Sequence, residues 1–166
     1  MKKIFLTVLA GTLSFASCEK DDICDANTPT TPQLVIEFYD NSNPTVLKNV
    51  SDLKVTGEGA NDVLSFTGVS KIKLPLKTTA DITKYQFVIN GSDVNTKNED
   101  QIEFDYSRKD EYISRACGFK TLFTLDANTP ITLTDGTAND GLWIKNTAVL
   151  TSNIINENET HVKIYF

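Results

Sequence analysis

The sequence predicts an all-β fold: a single antiparallel β-sandwich, Ig-like or similar, of about eight strands behind an N-terminal signal peptide. Three observations predict it. Short runs of alternating apolar and polar residues recur along the chain, clusters of Asn, Asp, Gly and Pro separate them, and Thr, Val and Ile are abundant. A period of two turns one face of a strand to a core and the other to water, and β-branched side chains suit that pleated surface.

Residues 1–17 come first and read as a secretion signal. Lys2 and Lys3 give the positive start, and Ile4 to Ala10 with Leu13 and Phe15 give a short apolar stretch. Gly11, Thr12 and Ser14 interrupt that stretch, which falls short of the ~20 residues of a permanent span. Small residues followed directly by Cys18 resemble the lipobox of bacterial lipoproteins. The resemblance implies cleavage between Ser17 and Cys18 and acyl chains on Cys18. Phe15 departs from the pattern, which has an aliphatic residue there. The alternative is ordinary cleavage that leaves Cys18 a thiol. One acyl chain binds a bilayer marginally, whereas two or more hold stably. Acylation would therefore make the membrane a partner, through the N-terminal lipid alone.

Removing 17 of 166 residues leaves 149, enough for one domain with a core of its own. Residues 18–32 read as a lipid-anchored tether and residues 33–166 as the β-sandwich domain. Losing Lys2 and Lys3 takes the formal charge from −6 to −8. An acidic chain argues against a nucleic-acid partner and against electrostatic adhesion to anionic lipid, since both need clustered Lys or Arg.

The strands follow in order. Leu34, Ile36 and Phe38 alternate with Val35, Glu37 and Tyr39; Ile72, Leu74 and Leu76 alternate with Lys71, Lys73, Pro75 and Lys77. Lysines on alternate positions with a proline among them mark a protected edge strand, or else a stripe for an acidic polymer. Tyr85, Phe87 and Ile89 lead into Asn90-Gly91, a pair suited to a tight turn. Ile102, Phe104 and Tyr106 form the next run, then Phe119, Thr121, Phe123 and Leu125, and finally Val162, Ile164 and Phe166. Ser92 to Asp100 and Asp135 to Gly141 read as loops. Asp-Ala-Asn-Thr-Pro occurs at residues 25–29 and again at 126–130, each time before a strand, which points to shared turn chemistry.

If Cys18 is acylated, Cys24 and Cys117 form the one available intramolecular pair, and an exported chain sits where disulfides persist. Two unpaired thiols are the alternative. Arg108 and Arg115, the two arginines, read as partners of nearby acids such as Asp105, Asp110 or Glu111 rather than as ligands for an anion. The single histidine, His161, falls on the outward parity of the last strand, beside Lys163 and Tyr165, and reads as a surface imidazole.

Catalytic signals are thin. One histidine cannot build a multi-histidine zinc site, and no nucleophile elbow, phosphate loop or H-E-x-x-H helix occurs. No cofactor is implied. The loop at 135–141 has oxygen-ligand character, with Asp135, Asn139 and Asp140 as weak metal candidates, but its spacing is not that of an EF-hand.

The mature chain as a whole resembles an uncharacterised envelope lipoprotein family of flavobacteria and their relatives, a domain of unknown function. Cys18 with Cys24, the run Thr28-Pro29-Thr30-Thr31-Pro32, Gly57-Glu58-Gly59, Ser114 to Thr121 and Glu159 to Tyr165 carry the match. The resemblance implies an outer-membrane lipoprotein and supplies no activity. Cys18-Glu19-Lys20-Asp21-Asp22 further resembles the surface-export signal of lipoproteins in that group, with Glu19, Lys20, Asp21 and Asp22 as the label. A plain solvated tether is the alternative. The expectation is a non-catalytic binding or assembly module for a protein or glycan partner. A hydrolase of surface glycan or peptide is the first alternative, and a structural subunit of an envelope complex the second.

Overall fold

In a computed structural model, which describes residues 23–137 and 139–166, the described chain forms twelve β-strands and no helix. The strands make two sheets packed face to face, as the sequence predicts. Five belong to one sheet: β1 (Leu34–Asp40), β2 (Asn43–Leu47), β5 (Lys71–Leu74), β10 (Asn146–Val149) and β12 (Val162–Tyr165). The other seven are β3 (Leu53–Gly57), β4 (Val63–Phe66), β6 (Ile82–Ile89), β7 (Asn98–Ser114), β8 (Gly118–Leu125), β9 (Ile131–Asp135) and β11 (Asn153–Ile154). Every pairing is antiparallel except β1 with β12, which is parallel.

The strand number exceeds the expected eight because the additional strands run only two to five residues, too short for alternation to register. The supposed loop at Ser92–Asp100 also ends early, since β7 begins at Asn98. The alternating runs themselves point as expected. Leu34, Ile36, Phe38, Ile72, Leu74, Phe87, Ile102, Phe104, Phe123, Val162 and Ile164 are all buried between the sheets.

Aromatic side chains fill the space at the chain's end: Phe38 and Trp143 both pack edge-on against Phe166, with ring centroids 6.1 and 5.5 Å away. The Trp143 Nε1–H donates to the Phe87 carbonyl at 3.2 Å, so the indole crosses from one sheet to the other without stranding its polar atom. A polar clamp ties residues 75–77, which follow β5, to the seven-stranded sheet. There Tyr106 Oη and Thr83 Oγ1 lie 2.6 Å apart, the Lys77 amide donates to Thr83 Oγ1, and the Tyr85 hydroxyl donates to the Pro75 carbonyl. Burial pushes the Tyr85 phenol up to about 12, which keeps it a donor at any ordinary pH.

β5 pairs with β1 alone, so the lysine-bearing run does lie at a sheet edge. Its two outward lysines are already engaged, Lys71 with Glu37 at 2.8 Å and Lys73 with Glu157 at 2.7 Å. That leaves little free cation for an acidic polymer. The repeated pentapeptide does serve one turn chemistry. Asp25 Oδ1 accepts from the Asn27 amide, and Asp126 Oδ1 accepts from the amides of Asn128 and Thr129.

Candidate functional site

Three places combine chemistry with position: the hairpin tip that meets the tether, a groove at the open edge of the sandwich, and a buried acid pair.

β7 and β8 form a long hairpin. The first half of β7 has β6 on one side and β9 on the other, but beyond Tyr106 its ladder continues with β8 only. The turn at Arg115–Cys117 ends this two-stranded arm, and Gly118 follows with φ 70°, a left-handed conformation that a side chain would strain. Cys117 in that turn is disulfide-bonded to Cys24, with Cα atoms 4.9 Å apart, as the cysteine arithmetic anticipates. The tether then follows the hairpin inward, since the Thr121 amide donates to Thr31 Oγ1 at 2.9 Å and the Gln33 amide to Glu157 Oε1 at 2.9 Å. Ser17, Cys18, Glu19, Lys20, Asp21 and Asp22 lie outside the described residues, and with them the cleavage, acylation and export expectations.

The groove has a volume of about 370 Å³. Leu64 of β4, Tyr85 of β6 and Pro75 and Leu76 give it an apolar wall, with Glu58, Asp62 and Lys77 around it. β4 pairs only with β3, and β5 only with β1, so the groove opens where two edge strands leave the sandwich unsealed. Leu64 lies opposite the buried Val55 in the ladder and therefore faces inward, yet it remains 38% exposed because nothing crosses the gap. Its size and apolar lining fit a bulky side chain or a short apolar segment.

The acid pair was not foreseen. Asp100 stands directly opposite Asp135 in the β7–β9 ladder and is fully buried. Its Oδ2 accepts from the Ile144 amide at 2.8 Å, Asp135 Oδ2 accepts from the Gly141 amide at 2.9 Å, and the Asn98 amide group donates to the Gly141 carbonyl at 2.6 Å. These bonds fasten the 141–144 segment and so position Trp143. Burial, with Asp135 adding repulsion, pushes the Asp100 carboxyl up to about 6 despite the opposing Ile144 hydrogen bond. A sequence signal existed: Asp100 precedes Ile102 by two, which puts an acid on the core-facing parity.

Of the weak metal candidates, Asp135 is engaged as described, Asn139 holds a turn at φ 51°, and Asp140 is exposed. Among the described residues no three His, Cys, Asp or Glu side chains gather as a cation site. Arg108 pairs with Asp81 at 2.7 Å and donates to the Thr78 carbonyl, so its role is structural but its partner is not one of the three neighbours proposed from sequence. Arg115 is exposed in the hairpin turn.

His161 requires a correction. The strand parity predicts an outward surface imidazole, but the residue is fully buried, and its Nδ1 accepts from the Val35 amide at 2.9 Å. The reason lies in the segment before β12. Glu157 reaches across the outer face to Lys73 and to the Gln33 amide, and so roofs the end of the sheet where Val35 and His161 sit. Burial lowers the His161 pKa, against the pull of Glu159 and Glu157. An imidazole that accepts a backbone hydrogen bond there is neutral and structural.

Fold and site together define a disulfide-stapled β-sandwich domain whose described residues present a groove and an exposed hairpin. A family model matches residues 52–166, and the chain belongs to that family, a family of unknown function (DUF6452). The match begins just before β3, although β1 holds the middle of the five-stranded sheet. No curated protein and no solved structure matches the chain.

Proposed function

We propose that the protein is an outer-membrane lipoprotein, anchored through acylated Cys18, whose sandwich binds a partner without catalysing a reaction. The observation that carries the binding reading is the groove between β4 and β5. Its wall is apolar enough to reward an inserted side chain, and its rim offers charges of both signs. Glu58 and Asp62 stand exposed in the loop before β4, at the rim of the groove, where they suit a partner's polar or cationic groups. The partner this geometry suits is an extended protein segment that lays an apolar residue against Leu64, Leu76 and Tyr85. The disulfide supports an oxidising compartment. The acidic run Glu19 to Asp22, with its Lys20, supports a surface-facing placement, and the anchor is the sole membrane contact that the sequence requires.

The test places a photo-crosslinking residue at Leu64 in the native envelope and, as a control, at Val46 on the exposed β2. A discrete protein adduct at 64 and none at 46 is the expected result. Equal or absent crosslinking at the two positions would overturn the groove reading. Metabolic labelling with a fatty acid, lost in Cys18→Ser, tests the anchor separately.

A further inference from the structure

The most prominent exposed apolar feature outside the groove is an aromatic pair near the end of the β7–β8 arm. Tyr112 and Phe119 face each other in the ladder, with ring centroids 5.3 Å apart, and are 56% and 67% exposed. They continue a stripe that is buried farther in. Tyr106 opposite Leu125, then Arg108 opposite Phe123, then Asp110 opposite Thr121 lead out along the same face to Tyr112 opposite Phe119. The arm therefore carries its core-facing side past the end of the core, where no other described strand pairs with it.

The place where the tether joins the domain gives this pair a context. Cys24 is bonded to Cys117 in the turn of the same arm, three residues beyond Ser114, where β7 ends. Cys24 lies six positions after Cys18, and six Cα-to-Cα steps reach at most about 22 Å when fully extended. An acyl anchor at Cys18 thus confines the arm's tip to a short distance from the bilayer. Ile23, 82% exposed, lies between anchor and staple. A tyrosine beside a phenylalanine has the amphipathic character favoured at the headgroup level, with an apolar body and one polar atom. Charge at the tip is nearly balanced: across residues 109–120, Lys109, Arg115 and Lys120 face Asp110 and Glu111, and Lys120 already pairs with Glu111 at 3.2 Å. The segment that leads to the staple adds Glu19, Asp21, Asp22 and Asp25 against Lys20 in sequence, so contact with lipid rests on the aromatic pair and not on charge.

We infer that the tip of the β7–β8 arm is a membrane-contacting surface, in which Tyr112 and Phe119 enter the interfacial layer of a phospholipid bilayer. The inference rests on the anchored reading of Cys18. Its consequence is orientation. Anchor, staple and aromatic pair make two points of contact, so the sandwich stands on its hairpin and cannot turn freely on the tether.

The experiment replaces the acyl anchor, so that failure of acylation and failure of contact are told apart. Residues 18–166, carrying an N-terminal histidine tag and Cys18→Ser, are tethered to zwitterionic phosphatidylcholine vesicles that contain a nickel-chelating lipid. Phe119→Trp adds an indole at the tip, while Trp143, only 8% exposed, serves as the buried reference. On vesicles made with brominated phosphatidylcholine, the Phe119→Trp protein loses part of its emission and its spectrum shifts to shorter wavelength; the unsubstituted protein changes in neither respect. Reduction of Cys24–Cys117 abolishes the quenching while the protein remains bound. Tethered Phe119→Trp protein with unchanged emission would overturn the inference. Quenching that survives reduction would overturn the role given to the staple. Self-association in solution that Tyr112→Ser with Phe119→Ser removes, without vesicle quenching, would assign the surface to a second copy instead.

Discussion

The two sheets are held together by contacts of opposite range. In the seven-stranded sheet, β6, β7 and β8 follow one another in sequence and pair as neighbours over eight or more residues. In the five-stranded sheet, β1 lies between β12, paired in parallel from the far end of the chain, and β5 and β2 on its other side. The first sheet closes short loops, which costs little chain entropy and lets each hairpin form beside its predecessor. The second has one local pairing, β1 with β2, but is not complete until both ends of the domain have met, and it uses His161, Glu157 and Trp143 to lock that meeting. Range, rather than strand content, separates the two halves.

The largest effect that bears on this comparison comes from the shared core. Phe104 in β7 and Phe38 in β1 are both fully buried. Phe104→Ala and Phe38→Ala should each remove about 3–5 kcal/mol of stability, as large-to-small changes in cores do. Since the two sheets bury one apolar layer between them, urea unfolding followed by far-UV and by Trp143 signals should remain a single coincident transition in both variants. A Phe38→Ala protein that loses its Trp143 signal well before its strand signal would show that the five-stranded sheet melts alone.

What the sequence made legible follows the same division. Alternation located β1, β5, β6, β8, β12 and the middle of β7, because a half-buried strand leaves its period in a few residues whatever its partner. Asn90-Gly91 marked the end of β6, and Asn90 does adopt φ 53°. Pairing was not legible, since nothing in Val162 to Tyr165 says that a parallel neighbour lies at Ile36 to Tyr39. His161 was misplaced for a related reason. Parity gives the face of a strand but not what later folds over that face. Of the candidate site, the Cys24–Cys117 staple was readable from cysteine count and compartment, whereas the groove depends on which strands are left as edges, a property of topology alone.

The next effect concerns two buried ionisable groups, Asp100 in β7 and His161 just before β12, whose pH responses have opposite sign. Asp100 titrates at about 6 when folded against 3.8 in the unfolded chain. Between those values the folded state binds more protons, so Asp100 makes the protein more stable as pH falls from about 6 toward 4. His161 is held below its ordinary 6.5, so the unfolded state binds more protons there, and His161 makes the protein less stable as pH falls through that value. Asp100→Asn should raise stability at pH 7–8 by about 2–3 kcal/mol, since each tenfold change in proton affinity between the two states corresponds to ~1.4 kcal/mol, and leave only the acid-side loss. Urea midpoints from pH 4 to 8 check both signs. A variant whose profile parallels the wild type would remove Asp100 as a source of pH dependence.

The smallest effect on stability tests the edge that the long-range sheet leaves open. Lys71 and Lys73 are about half exposed, and each makes one ion pair, with Glu37 and Glu157. Exposed pairs of this kind contribute about 0–1 kcal/mol, so Lys71→Thr with Lys73→Thr should shift the urea midpoint only slightly. Threonine keeps strand propensity but removes the charges that discourage another strand from pairing with β5. The double variant should therefore remain folded and yet form dimers or larger species, read by sedimentation velocity across a concentration series, while the wild type stays at a constant sedimentation coefficient. The seven-stranded sheet supplies the internal control, because Val63 and Leu64 leave β4 without lysines and its edge is only four residues long. If the double variant stays monomeric, shortness protects both edges and the lysines of β5 act only through their ion pairs; if it associates, charge is what keeps the edge of the long-range sheet unpaired.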